Sequence, residues 1–556
     1  MESFSIEREV RSCMRQGNVY KGLLIVSCAF VAVLNAGCGR PVHMNESDSV
    51  DQSASSAVDS EANRVSYNAQ REALLAQELV ADQLSSDELR LDERLQAMKK
   101  EAFALYGQRI PYGINEWSSS MAADTRLHAF CADVPKGGNL HVHDASGISA
   151  DGLIDLLLDR GDVLVNVDEQ DGYGKLYFDG SPDVPETAMP LRDALGIMDE
   201  GQREEDESQE EDDRRGDEEG MSEEQPVLTR EALRDMLTLG GVSSSQDAWA
   251  AMGELQSRIA NLMADDSFVR ALYEAGFREQ VKSGIDLVEL RFLCGEDDQT
   301  NARLLHAIRD AYYAVKRDRS SFVVRVVACA NKETRYGKDA VCNVLRSAIR
   351  LATQVRDETD ANDPKSFIVG LDLAGNEDSS WPLKEMADFL GSDEVSKSGL
   401  ALYLHCGESI AVRNDSVADA YLLGARRIGH GISLYRYPAL MDSYEMDAVA
   451  IEVSPMSDFR LGYVSDLRLH PGALYLRNGN QVVLCSDAGT LVEPAILVDD
   501  FYAATLCWDM SLADIKALCR NSITYSSLSQ EEKKALMAAW ETQWDAFVKA
   551  QLAQAQ

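Results

Sequence analysis

From residue 130 onward, short apolar runs alternate with longer stretches of helical spacing. The runs are GNLHVH (138–143), IDLVELRFL (285–293), FVVRVVACA (322–330), FIVGLDLAG (367–375), ALYLHCGE (401–408), RRIGHG (426–431), AVAIEVSP (448–455) and QVVLCSD (481–487). Each is aliphatic or β-branched and of strand length, and each spacer can hold a helix, which is the pattern of parallel βαβ units. Eight such units predict an α/β fold, a (β/α)8 barrel of the TIM type, with its active site at the C-terminal ends of the strands.

The flanks have their own patterns. Ala69 to Leu105 shows helical spacing without Gly or Pro, so a helical region is expected over 69–130, ahead of a barrel over 131–548. DVLVNVDEQDGYGKLYF (162–178) reads as a small β-hairpin. It belongs to an insertion at about 160–228, after the first strand, which also holds DEGQREEDESQEEDDRRGDEEGMSEE (199–224). That stretch has 15 acids against 3 bases. With almost nothing apolar to bury, it is expected to be a disordered, solvated loop. The whole chain carries a formal charge of −39, which argues against nucleic acid or an anionic membrane surface as a partner.

At the N-terminus, GLLIVSCAFVAVLNAG (22–37) is a 16-residue apolar run preceded by Arg15 and Lys21. It is short for a membrane span, which needs ~20 residues, and has the plan of a signal peptide. Ala36 and Gly37 before Cys38 resemble a lipobox, with Asn35 the imperfect position. The expectation is a leader over 1–37, a lipid on Cys38 as the sole membrane attachment, and a flexible Ser/Asp/Asn-rich tether over 38–68. Met14 would give a more usual leader length than Met1. An uncleaved anchor is the alternative, and either places the body outside the cytoplasm, lipid-anchored or secreted. The other eight of the 11 cysteines form no CxxC pair; Cys294, Cys329, Cys406 and Cys485 lie in apolar runs and read as buried thiols.

Only eight histidines occur. His141, His143, His405 and His430 fall at the ends of expected barrel strands, whereas His43, His128, His306 and His470 read as surface or packing residues. Alternate residues of a strand share a face, so His141 and His143 either grip one metal ion together or are ordinary polar residues at a strand end. Glu408 and Asp487 converge on the same rim. Three imidazoles and one carboxylate are a known ligand set for a catalytic zinc, whereas a structural zinc would recruit cysteines.

These residues also reach a family. HVHD, LDLAGNE, HCGES, RIGHG, IEVSPMS and CSDAG, in that order, resemble the adenosine deaminase family. VPKGGNLHVHD (134–144), VSDLRLHP (464–471) and the C-terminal WETQWDAF (540–547) resemble its extracellular, growth-factor-related branch. The resemblance implies one zinc per subunit on His141, His143, His405 and Asp487, with Glu408 as the proton shuttle to the purine ring. It implies that His430 holds the attacking water and helps remove its proton. Gly375 matches the glycine that meets the purine, and Asp144 an acid contacting ribose. Trp249 matches a ribose-pocket tryptophan by spacing alone, with a core role the alternative. The implied reaction is hydrolytic deamination of adenosine or 2′-deoxyadenosine to inosine and ammonia, in a homodimer joined through the N-terminal helices.

Two positions break the pattern. The family's Ser-Asp-Asp-Pro is Ser486-Asp487-Ala488-Gly489 here, so the acid that meets the purine's five-membered ring is missing. The family's asparagine in SPxSN is Asp458. A lost buried hydrogen bond to a charged group costs on the order of 1.5–3 kcal/mol. Either Glu493 or Asp458 replaces the contact, or the substrate differs. The alternatives are a sister amidohydrolase for another amino-substituted ring and a surface binding protein that has lost turnover.

Overall fold

The computed structural model describes residues 65–67, 69–71, 84–105, 125–168, 174–197, 227–239, 245–358, 365–410, 414–489 and 496–554. The leader, Cys38 and the tether lie outside them, as do the acidic stretch 199–224 and Glu493. Met1–Gln77 forms a separate unit, helical at residues 65–67 and 69–71. Everything below concerns the second unit, Glu78–Gln556.

Its centre is an eight-stranded parallel sheet that runs in chain order. The strands are β1 (Gly137–His143), β2 (Ile285–Leu293), β3 (Val323–Asn331), β4 (Ile368–Ala374), β5 (Ala401–Cys406), β6 (Arg427–His430), β7 (Ala450–Val453) and β8 (Val482–Leu484). All eight coincide with the apolar runs. Their side chains are buried on both faces, which is why they read as continuous rather than alternating.

Beyond the last residue of β8, the Asp487 N–H donates to the His141 carbonyl, and the His143 N–H donates to the Asp487 carbonyl, each at 2.9 Å. These two bonds draw the first and last strands together, so the sheet is nearly closed into a barrel.

The inserted hairpin pairs Val163–Asn166 antiparallel with Leu176–Phe178, and a third strand, Ala188–Pro190, joins the other edge. Sequence pattern missed that strand because three residues with Pro at the end carry no alternation. The sheet has its own small core of Ile154, Val165, Leu176, Phe178, Leu233 and Phe268.

The helix Ser86–Leu105 buries Leu91, Leu95 and Ala102 within the same chain. Glu88 accepts from Lys516 Nζ at 2.7 Å and Trp544 Nε1 at 2.6 Å, which ties this helix to Leu512–Thr524 and Gln530–Ala553. The eight cysteines from Cys131 to Cys519 carry free thiols; all are buried except Cys507, which is half-buried.

Candidate metal centre and catalytic rim

Every residue singled out on the strand ends lies at one rim of the barrel. His141 and His143 end β1, His405 and Glu408 end or follow β5, His430 ends β6, and Asp487 follows β8. The three imidazole Nε2 atoms of His141, His143 and His405 stand 3.0–3.2 Å from one another. Asp487 Oδ1 is 3.3 Å from both His141 Nε2 and His143 Nε2. Ligands at ~2.0–2.1 Å in a tetrahedron are separated by about 3.3 Å. The four donor atoms have nearly that spacing.

The protonation of two of the three imidazoles suits a cation. The Asp372 carboxylate in β4 accepts from His405 Nδ1 at 2.7 Å. A carboxylate only accepts, so Nδ1 carries the proton and Nε2 presents a lone pair. His141 Nδ1 lies 3.0 Å from Glu452 Oε2, too far off line for a well-formed hydrogen bond but polarising the ring in the same sense. Burial holds the His143 and His405 imidazoles neutral, the latter titrating at about 4. The Ser457 hydroxyl donates to Asp487 Oδ2 at 2.5 Å, leaving Oδ1 to face the histidines.

Beneath this cluster lies a buried ionic lattice. Arg291 bridges Asp372 Oδ2 at 2.9 Å and Glu452 Oε2 at 2.5 Å. Arg427 holds Glu452 Oε1 at 2.5 Å and pairs with Glu289. Neither arginine is exposed, and together they keep the Glu452 carboxyl ionised far below its usual range against the burial that opposes it. The carboxylates that aim the histidines are therefore fixed themselves.

Glu408 and His430 form the second part of the rim. Both are buried, with Glu408 Oε1 3.8 Å from His430 Nε2. Burial pushes the Glu408 carboxyl up to about 8. Burial opposes a charge on His430, but Glu408, Asp458 and Asp487 around it raise its affinity for a proton. His430 also belongs to a buried group with His141, His405 and Asp487, whose ligand atoms lie within 4.8 Å. That spread is looser than the 3.0–3.3 Å of the set with His143, which is the better cage.

His430 Nδ1 is 2.8 Å from Asp458 Oδ1, and His470 Nε2 is 2.9 Å from Asp458 Oδ2. Asp458 thus has both oxygens engaged and does not stand in for the missing acid at position 488. His470, read from sequence as a surface or packing residue, is buried and belongs to this chain of contacts.

Ala488 is 5 % exposed and sits in an apolar cluster with Ile432, Leu461, Tyr463 and Val464 and, from the segment between the first two barrel strands, Leu239, Met252 and Leu255. Trp249 packs on the same cluster, and its Nε1–H donates to the Tyr463 hydroxyl at 2.8 Å. Its polar edge is thereby used within the protein. Asp144 is half-buried, and its carboxylate accepts from the Leu293 N–H at 3.1 Å; burial raises it to about 7. Gly375 has φ +116°, and a Cβ there would lie 2.8 Å from Asn331 Oδ1. Both the backbone and its neighbour require glycine.

A family model described as adenosine deaminase matches residues 226–542. The chain belongs to the adenosine deaminase family. That membership makes it a hydrolase of the deaminase class. "Adenosine deaminase 2" of Dictyostelium discoideum is 27% identical over 516 residues, covering 87% of each chain. "Adenosine deaminase" of Lutzomyia longipalpis is 27% identical over 491 residues, 84% of this chain and 89% of that one. "Adenosine deaminase 2" of Sus scrofa is 36% identical over a shorter 215 residues, 37% and 41% of the two. A solved structure titled "The structure of the ADAL-IMP complex" superposes with a TM-score of 0.50 at 14% identity, covering 75% of this chain and 99% of that one. At that identity the likeness supports the barrel alone.

Family motifs located the rim but not all its supports. Asp372 and Glu452 lie inside the family strings LDLAGNE and IEVSPMS, and a lone acid inside an apolar strand is itself a signal of buried pairing. Arg291 carries the same signal within IDLVELRFL. His470 lies inside the branch string VSDLRLHP, but its bond to Asp458 left no sequence signal, since only folding brings the two together.

Proposed function

We propose that the protein is a zinc-dependent aminohydrolase that converts adenosine or 2′-deoxyadenosine, with water, to the inosine nucleoside and ammonia. The observation that carries this reading is the convergence of four donor atoms at 3.0–3.3 Å beside a buried acid and a buried base. His141, His143, His405 and Asp487 would hold the metal. Zinc, when bound, supplies a Lewis acid that brings a water's pKa toward ~7.

The remaining work falls to side chains. Glu408, kept neutral by burial, donates its proton to the ring nitrogen next to the amino-bearing carbon, which makes that carbon electrophilic. His430 takes the proton of the attacking water at Nε2, and the surrounding carboxylates stabilise the imidazolium it becomes. Oxygen bonds to the carbon, the amino group takes the proton held on His430, the carbon–nitrogen bond breaks to release ammonia, and the new hydroxyl's proton returns to Glu408. Gly375 lets the ring approach the backbone, while Asp144 and Trp249 are proposed sugar contacts.

The test is an ultraviolet assay of purified protein with zinc and a panel of purine nucleosides, alongside metal analysis. Adenosine turnover is expected, and His141→Ala should lose zinc and turnover together; zinc-loaded protein inert toward the whole panel would overturn the reading. One observation favours a second reading. The apolar surroundings of Ala488 suit an amino-substituted ring that offers no acceptor at that edge, and such a ring, added to the panel, would outcompete adenosine.

Export and a lipid on Cys38 also remain proposals, motivated by the apolar run 22–37. Among the described residues, no helix is long and apolar enough to cross a membrane. Cys38→Ser should leave the precursor unprocessed on a gel, whereas unchanged mobility would count against lipidation. The homodimer has less support, because the apolar face of Ser86–Leu105 is covered within its own chain.

A further inference from the structure

Three buried groups lie in line behind the rim. The His470 ring caps the helix Pro471–Asn478, its Nδ1 accepting from the Gly472 N–H at 2.9 Å. An acceptor nitrogen carries no proton, so the neutral ring carries its hydrogen on Nε2 and donates it to Asp458 Oδ2 at 2.9 Å. The other oxygen, Oδ1, faces His430 Nδ1 at 2.8 Å. All three side chains are 2 % exposed or less, so water does not compete for these bonds.

We propose that Asp458 and His470 are positioning residues that lock His430 in one tautomer, with Nδ1–H donated to Asp458 and Nε2 bare toward Glu408. The inference rests on the deaminase reading for the bare Nε2 and the kinetic consequence, whereas the proton on Nδ1 follows from the hydrogen-bond directions alone. A carboxylate can accept from both sides. The helix cap at Gly472 prevents His470 from turning acceptor toward Asp458, so any correction must come from His430. The role parallels that of an orienting acid behind a histidine base in a catalytic triad.

Asp458→Asn keeps the shape and removes one acceptor. Its amide must set N–H against one of the two histidines. Facing His470, it meets another donor. Facing His430, it makes Nδ1 the acceptor and puts the proton on Nε2, the nitrogen that must be bare. The expected result is a fall in kcat of about 10²–10⁴-fold with KM within a few-fold and zinc content unchanged.

Nitrogen NMR of the His430 ring should show Nδ1–H in the parent and Nε2–H in Asp458→Asn. Adding His470→Gln gives the new amide an acceptor to face, so the double variant should recover at least tenfold in kcat and return His430 to Nδ1–H. Asp458→Asn with kcat within threefold of the parent would overturn the proposal, as would a parent His430 found as Nε2–H. Should the parent deaminate no nucleoside, the deaminase reading fails, while the parent's tautomer still decides the lock.

Discussion

Glu408 holds its proton at a cost to the fold. Its carboxyl is raised to about 8 by burial, above the ordinary value of 4.5. The folded chain therefore keeps a proton that the unfolded chain releases, and stability falls as pH rises from about 4.5 to about 8. Glu408→Gln removes that dependence. In chelated protein at pH 8 it should raise Tm by a few degrees, while in zinc-loaded protein kcat should fall by 10²–10⁴-fold (~10²–10⁴ for a lost general acid) with metal retained. Scanning calorimetry beside the ultraviolet assay reads both, and a Tm lowered at pH 8 would contradict the burial argument. Parent activity should decline as pH climbs through about 8, when the acid form is lost.

Ala488 gives the second prediction at this scale. Ala488→Asp puts a carboxyl into an apolar cluster, so Tm should fall. If adenosine is the substrate, kcat/KM should rise by up to about 100-fold. A variant that binds zinc, folds and gains nothing in kcat/KM would place ring recognition elsewhere. These positions also mark what sequence could convey. The motif order exposed the six rim residues because their chemistry is local to strand ends. It could not expose the surroundings of Ala488, where Leu239 and Tyr463 meet only in three dimensions, nor the bond between His470 and Asp458.

Among the elements, the barrel strands were legible because burial on both faces leaves unbroken apolar runs. The short third strand of the inserted sheet left no such trace. The helix Ser86–Leu105 was legible as a helix but not by its partner, since the polar bonds of Lys99 to Met510 and of Glu88 to Lys516 and Trp544 join it to residues more than 400 positions away along the chain. Its anchor is Glu88, whose bonds to Lys516, Ser85 and Trp544 outweigh burial and lower its carboxyl to about 2. The stability this supplies is complete above the unfolded value near 4.5 and lost as pH falls toward 2. Glu88→Gln should therefore destabilise the protein at pH 7 and flatten the acid side of its stability curve between pH 4.5 and 2. Equal losses at pH 7 and pH 2.5, followed by urea unfolding, would refute the ionic role.

For the whole molecule, described residues on either side of the acidic stretch 199–224 meet. The Leu228 N–H donates to the Ala194 carbonyl at 2.8 Å, and both residues are buried. A short Gly/Ser linker can span such a gap at small entropic cost. Replacing 199–224 should leave kcat and Tm near parental values while advancing elution from an anion exchanger, because 12 of the 39 net negative charges go with it. A large loss of Tm would show the stretch to be structural.

The free thiols described above bear on the proposed export. Oxidation and disulfide exchange proceed through thiolate, at exposed sulfur. Burial pushes the Cys131, Cys507 and Cys519 thiols up to about 12, and those of Cys329, Cys406 and Cys485 well above the ordinary value. A barrel so built can be delivered to an oxidising compartment without any cross-link and without a partner enzyme to sort its cysteines. Its resistance to oxidation comes from the same packing that holds the barrel together, and it is lost wherever the barrel opens.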